Sequence, residues 1–529
     1  MKLASLGVPF PTNEYGEFVG YKTDHDPRCR ATSAGPLTSR YMTERLEHAV
    51  RSKGVPVLDH LLAFRLLTQD GRICGLLCLD TARENDPAYG LTVISAWQVI
   101  LATGGPAICY RDSVYPENQT GMSGMALEIG AAGANLQEWQ YGLASLGFRW
   151  NVSGSYQQAL PRYISVDDDG VEREFLTAHF DSPSDWLNRA FLKGYQWPFD
   201  AAKAEASSRI DVLVWEETVL RGRRVFLDFR TDPRGLEQGF GALGDEARRY
   251  LEQSDALVPT PIERLRRLNP QAIDLYRAHG IDLTTQPLEI GVCAQHHNGG
   301  IAIDADWQSS VAGLYVAGEA AGTFGWYRPG GSALNATQVG SMRAARHIAE
   351  SGGERTCFAE TRVTLETCAA ACLQQFRRSV QEKETVDLSG ERAYFQSRMS
   401  ACAAHVRREE QMAALQAEIA RCLARYWETH SVSSPRQLPT LLKNHDMLVT
   451  QQAVLSAMRL SAQTQGSHGS ALTEEEPEKP DMRKVITESD ADGFCSRMED
   501  IRALPEPNRW FETVWAAYRQ RQNGKDGHT

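Results

Sequence analysis

Gly313-Leu314-Tyr315-Val316-Ala317-Gly318-Glu319-Ala320, followed by Arg328-Pro329-Gly330-Gly331-Ser332-Ala333-Leu334, is the most informative stretch of this 529-residue chain. A strand over Leu314–Ala317 would place Glu319 at its carboxyl tip, where a carboxylate can accept hydrogen bonds from ribose or ribityl hydroxyls. The glycine pair Gly330-Gly331 opens the next helix, whose free N–H groups and dipole favour negative charge. Arg328, just before it, is suited to holding a carboxylate bidentately. The plainer alternative is a structural glycine turn beside a surface arginine. Upstream, His296-His297-Asn298-Gly299-Gly300-Ile301 has the same strand-then-glycine grammar.

Working outward, a second strand is expected over Gln98–Ala102, running into Thr103-Gly104-Gly105. Paired glycines at the carboxyl end of a strand let a flat cofactor approach the backbone closely. Before it, Ser39–Lys53 has helical spacing, with Met42, Leu46 and Val50 on one face. Ala63–Thr68 and Ile73–Leu79 flank Asp70-Gly71, a hairpin signal. From Trp139 to Ala294 aromatics, prolines and charged helices mix without strand–helix alternation, which suggests an α+β unit set into the α/β frame. From Cys357 to Leu460 the pattern is helical, notably Gln411–Tyr426 and Met447–Ser461. The polar stretch Gly466–Gly493 reads as a mobile loop, and Trp510–Tyr518 as a terminal amphipathic helix.

One segment matches G-x-G-x-x-G, Gly239-Phe240-Gly241-Ala242-Leu243-Gly244. Residues 230–238 separate it from the expected strand Val225–Phe229. The fingerprint works only where a strand delivers the turn straight to a helix N-terminus. A surface loop is therefore expected there. Composition excludes other classes: 42% hydrophobic and 23% charged residues with a net charge of −11 are ordinary for a globular protein. Basic residues form no run that would suit nucleic acid, and no apolar stretch of ~18 residues suggests a membrane span. Of the eleven cysteines none forms a C-x-x-C pair, and Cys368 with Cys372 read as buried thiols. No metal is expected, and the cysteine usage suits a reducing cytoplasm.

Leu101–Gly105, Thr120–Gly124 with Gly130–Gly133, and the whole of Gly299–Ala345 resemble the succinate dehydrogenase/fumarate reductase flavoprotein family, which includes L-aspartate oxidase. The resemblance covers most of residues 1–350 and is most specific in its last third. It implies an α/β, Rossmann-like FAD-binding domain, an inserted α+β capping domain and a C-terminal helical domain. The corresponding segments are 1–138 and 295–350 for the FAD-binding domain, 139–294 for the cap and 351–529 for the helices. It implies FAD as cofactor, with Thr103, Gly104, Gly105, Gly318, Glu319 and Gly331 against it and Ser332-Ala333-Leu334 beside the flavin ring. Arg328 would hold a substrate carboxylate. The Ser207-Ser208-Arg209-Ile210-Asp211 segment is similar to the family's capping-domain arginine segment. Arg209 would then donate or relay a proton, with an ordinary helix salt bridge as the competing reading.

Two departures stand out. The family's substrate histidine lies four places before the glycine pair, where this chain has Gln295; a one-residue slip would bring His296 there instead. Gln295 offers only a neutral hydrogen bond, which disfavours a C4-dicarboxylate. Members of the family also begin with a strand and G-x-G-x-x-G turn, whereas this chain starts where their second quarter would, so the FAD-binding domain is expected to be incomplete at the N-terminus. Two functions follow. One is a flavoenzyme moving a hydride between flavin and a C–C bond of an organic acid or enone, with an electron partner. The other is a component, inactive alone, whose partner subunit supplies the pyrophosphate turn.

Overall fold

The computed structural model describes residues 2–503, except 24–25, 238, 329–330, 352–357, 492 and 502, together with 513, 514, 516 and 517. Helix α1 (Thr38–Ser52) has the expected apolar stripe, yet none of its residues is buried, and Leu46 and Val50 are exposed. Strands β1 (Leu61–Gln69) and β2 (Arg72–Asp80) form the expected hairpin, and β3 (Leu91–Ser95) adds to β2. Asp70 and Gly71 both have positive φ, 51° and 75°. That pair matches the right-handed strand twist of a tight hairpin.

Strand β4 (Val99–Leu101) pairs in parallel with β9 (Leu314–Val316), in the register Val99↔Leu314, Ile100↔Tyr315 and Leu101↔Val316. Between them comes the short helix α2 (Gly124–Glu128) and then the inserted unit. Its six-stranded sheet runs Glu172–Arg173, β6 (Arg162–Val166), β7 (Arg224–Asp228), β8 (Leu288–His297), β5 (Trp139–Ser145) and Trp150–Asn151. All of these pairs are antiparallel. β8 continues through residues 294 and 295, with a register shift between Ala294 and His296, so one strand carries the six-stranded sheet on to the glycine-rich segment. Helix α3 (Arg209–Trp215) packs within this unit. The G-x-G-x-x-G segment is a short 3₁₀ turn at Phe240–Ala242 in the same unit, away from β4 and β9, as a loop reading requires.

After α4 (Ser332–Glu350) come α5 (Phe358–Ser379), α6 (Leu388–Cys402), α7 (Glu409–Thr429) and α8 (Leu438–Thr464). The two expected helical stretches lie inside α7 and α8. α8 is buried on all sides and joins the α/β core through Leu441, Met447, Leu448, Val454 and Met458. The expected mobile loop at 466–493 is corrected. It contains β10 (Lys484–Asp490), which pairs with β11 (Gly493–Glu499) and with the short strand Gly133–Ala134. Val485, Ile486 and Thr487 are buried while Glu488, Ser489 and Asp490 face solvent. The outward charges hid the strand. Of the expected helix at Trp510–Tyr518 only Thr513, Val514, Ala516 and Ala517 are among the described residues, and these are helical. Among the described residues no helix is long and apolar enough to cross a membrane.

Candidate active site

The carboxyl ends of the two parallel strands form the floor of the site. β9 runs into Gly318, whose φ of 72° turns the chain, and then Glu319. β4 runs into Thr103-Gly104-Gly105. These ends meet: a Cβ on Gly105 would fall 2.5 Å from Glu319 Oε1 and 3.0 Å from the Tyr115 hydroxyl. Only glycine permits this approach. Glu319 Oε1 accepts hydrogen bonds from the Tyr115 hydroxyl and from the backbone N–H of His297 at 2.8 Å. Burial nevertheless pushes the Glu319 carboxyl up to about 6, against the lowering effect of those donors and of Arg328. The Gln119 amide donates to the carbonyl of Thr103, holding the turn, while Thr103 Oγ1 is buried without a hydrogen-bond partner.

The next wall begins at Gly331, which caps α4 in the left-handed region with φ 79°. Ser332, Ala333 and Leu334 form the first turn of that helix, and Leu334 is exposed. Arg328 Nε donates to Gln140 Oε1 at 2.8 Å, and Gln140 Nε2 donates back to the Arg328 carbonyl at 3.1 Å. Gln140 lies on β5, so the arginine is fixed by the six-stranded sheet. Burial lowers the Arg328 guanidinium below its ordinary value, and Glu319 opposes that shift.

The two histidines divide their roles. His296 Nδ1 lies 2.9 Å from Asn298 Oδ1, leaving Nε2 toward Glu319 Oε2 at 3.9 Å. Burial and then Arg328 hold His296 well below the usual histidine range, so its ring is neutral at physiological pH. The His297 ring stacks on Trp139 and contacts the Leu136 carbonyl, a structural position. Gln295 is buried; its Nε2 reaches the Leu143 carbonyl at 3.4 Å and its Oε1 has no hydrogen-bond partner. Beside it, a Cβ on Gly142 would meet Trp197 Nε1 at 2.5 Å and Gln295 Nε2 at 3.0 Å. The buried Trp197 N–H likewise has no partner, so it and the Gln295 carbonyl are unused polar groups at one place.

Arg209 opens α3 and pairs with Glu216 at 3.6 Å. The preceding residue ties this helix to the arginine segment: Ser208 Oγ accepts from the Asp200 N–H at 3.0 Å, and Asp200 Oδ1 accepts from the Tyr327 hydroxyl at 3.3 Å. The third side comes from the loop after α8. His468 Nε2 lies 2.7 Å from Glu138 Oε1, Trp326 packs edge-on to His468, and the Ala201 N–H donates to the Gly469 carbonyl. Tyr115, Gln119, Gln140, Trp197, Asp200 and the Glu138–His468 pair are absent from the sequence-derived set. Gly469 beside His468 in a polar stretch was the one local sign, and it fits an ordinary loop equally well.

A parallel-strand floor with glycine turns, a helix N-terminus and an inserted unit whose polar groups reach them make up an α/β protein of the cofactor-binding kind. The family model for the FAD binding domain matches residues 2–334, and the chain belongs to that family. The L-aspartate oxidase of Agrobacterium fabrum is 29% identical over 353 residues, 66% of this chain and 57% of that protein. The chain thus spans under two thirds of that relative's length. The E. coli quinol fumarate reductase chain FrdA superposes with a TM-score of 0.68 at 19% identity, covering 95% of this chain and 82% of that one. Sdh1 of Mycobacterium smegmatis gives 0.68 at 16% identity, with 97% and 81% covered. The fold is accordingly that of the succinate dehydrogenase/fumarate reductase flavoproteins. FAD, the family's cofactor, suits the residues present: a buried carboxylate for hydroxyl groups, an unpartnered Thr103 hydroxyl and glycine-lined strand ends.

Proposed function

We propose that this chain forms the flavin floor and substrate cap of an FAD-dependent oxidoreductase acting on a C–C bond next to a carboxylate or carbonyl. The observation that supports it most is the convergence of Glu319, Gly331 and Arg328 on one site, with Arg328 fixed by Gln140 from the cap. Bound FAD would supply the hydride acceptor or donor. Glu319 and Thr103 would hold its hydroxyls, and the first turn of α4, Ser332-Ala333-Leu334, would lie against its ring. Arg328 would orient the substrate carboxylate or carbonyl, with Gln140 keeping the guanidinium in place. Arg209, paired with Glu216 at the mouth of α3, would handle the proton at the neighbouring carbon.

Gln295 supports a substrate with one carboxylate or a neutral carbonyl. The neutral His296 ring faces Glu319, so the polar groups beside Gly142 are Gln295 and the Trp197 N–H, both uncharged. Charge-assisted hydrogen bonds are roughly twice as strong as neutral ones, and a second buried carboxylate would lack one here. Efficient turnover of fumarate, unaffected by Gln295→Ala, would rule this substrate class out. Flavin binding is tested by FAD titration followed by fluorescence, with Glu319→Gln expected to weaken it about tenfold, the equivalent of one good hydrogen bond. An unchanged affinity would remove Glu319 from the cofactor site.

A second reading, a component completed by another chain, is favoured by one observation. Among the described strands β4 has a single neighbour, and Ile100 on it is exposed. On that reading FAD binds tightly only when the second chain is present, which the same titration distinguishes. In either case the electron donor or acceptor is a separate partner, and a cytoplasmic setting suits the thiols.

A further inference from the structure

Far from the flavin floor, three potential ligand groups converge in the helical domain: Glu391 on α6, Cys422 on α7 and His430 just beyond the end of α7. One ligand atom from each lies within 4.8 Å of the others. His430 Nε2 is 2.7 Å from Glu391 Oε1, and Cys422 Sγ is 3.7 Å from the same oxygen. His430 and Glu391 are nearly buried, with 4% and 10% of their side chains exposed.

The surroundings of the imidazole fix its orientation. His430 Nδ1 lies 2.9 Å from the Tyr426 carbonyl, which can only accept. It also lies 3.0 Å from Thr429 Oγ1, whose own proton goes to the Arg425 carbonyl at 2.9 Å. Nδ1 must therefore carry the hydrogen, leaving the Nε2 lone pair facing a carboxylate oxygen. Nε2 and the Glu391 oxygen lie 2.7 Å apart. A backbone carbonyl that fixes the ring tautomer is the arrangement metal-bound histidines show. The Asn444 amide steadies the other carboxylate oxygen at 3.4 Å, while also donating to the Leu388 carbonyl. The Tyr426 ring stacks on the imidazole with centroids 4.0 Å apart.

We propose that Glu391, Cys422 and His430 bind a zinc(II) ion, with water as fourth ligand. Tetrahedral zinc, with bonds of about 2.3 Å to sulfur and about 2.1 Å to oxygen and nitrogen, needs about 3.6 Å between sulfur and oxygen and about 3.4 Å between nitrogen and oxygen. The first spacing is met, the second requires the Glu391–His430 edge to open by about 0.7 Å, and the sulfur–nitrogen edge, which needs about 3.6 Å, lies within 4.8 Å. One thiolate and one carboxylate neutralise the ion, and borderline sulfur–imidazole ligation selects zinc over calcium or magnesium. The ion would tie α6 to the far end of α7.

Cobalt(II) is the probe for the full-length chain. Wild type should retain about one cobalt per chain after desalting, with a thiolate-to-cobalt charge-transfer band, and its melting temperature should rise over that in EDTA. Cys422→Ser and His430→Gln should each weaken cobalt binding by more than about tenfold. Folded wild-type protein with no band and no change in melting temperature would overturn the site. So would a band that survives Cys422→Ser undiminished, which would place cobalt on another of the eleven cysteines. If the variants do not fold, the wild-type band and melting temperature decide it alone.

Discussion

Helices α8 and α4 are both long, yet the protein treats them in opposite ways. α8 buries seventeen of its 27 residues and serves as the axis of the main core. α4, with nineteen residues, buries only Gly340 and Ala344, while Leu334, Val339 and Met342 are exposed. Gly340 sits against Trp307, where a Cβ would fall 2.2 Å from the ring. α4 therefore touches the core through one glycine face and turns the rest of its apolar surface outward. The difference teaches that this molecule is finished on its helical side and open on its flavin side. Stability should reside in the first region and activity in the second.

The largest expected effect tests the finished side. Leu448, fully buried in α8, touches the core that joins the helices to β4 and β9. Leu448→Ala should cost about 2–5 kcal/mol in denaturant unfolding, by lost burial and a residual cavity. A loss under about 1 kcal/mol would mean that this core is not the main source of stability.

On the open side the counterpart is Arg328→Ala. If Arg328 holds the substrate as proposed, the change should lower kcat/KM by about two orders of magnitude and leave the unfolding midpoint nearly unchanged. If instead stability falls and turnover does not, the Arg328–Gln140 bonds are a structural clamp and the comparison fails at its central residue.

These two residues also show what was legible in the sequence. The floor of the site was readable because its signals are local: strand, glycine, carboxylate and helix follow one another within residues 313–334. Leu448 was readable as helical from its spacing, although nothing in that spacing revealed a helix buried on every side. The walls were not readable. Tyr115, Gln140 and His468 are ordinary polar residues whose partners Glu319, Arg328 and Glu138 lie far along the chain. The strand Lys484–Asp490 was hidden because its outer half is charged and its partner, Gly133–Ala134, is only two residues long.

A smaller effect, with a definite sign, comes from the seam where α8 meets α2. Asp446 Oδ1 accepts from the Met125 N–H at 2.9 Å, while Oδ2 is buried without a hydrogen-bond partner. Burial, and then the charge of Glu128, raises the Asp446 carboxyl from an ordinary 3.8 to about 8. Below pH about 4 the group is protonated in both states and costs nothing. Between there and pH about 8 the unfolded chain releases the proton and the folded chain keeps it, so stability falls as pH rises. The slope from this group is at most about 1.4 kcal/mol per pH unit. Asp446→Asn should flatten the fall in melting temperature between pH 5 and pH 8 and stabilise the protein most at the upper end. A variant as pH-dependent as wild type would assign the fall to other groups.

The smallest effect is the one most able to break the comparison. Met342 lies on the outward face of α4, about half exposed. Methionine and glutamine have similar length and similar helix propensity, so Met342→Gln changes little except the solvation of that face. If the face is bare in solution, the substitution should shift unfolding free energy by no more than about 0.5 kcal/mol, as surface changes do, and leave sedimentation unchanged. Exposed apolar surface on a helix is also what an interface looks like before its partner arrives. A loss of more than about 1 kcal/mol, growing with protein concentration, would show that a second copy of the chain covers α4. The flavin side would then be completed by assembly, and the contrast with α8 would describe the isolated chain alone.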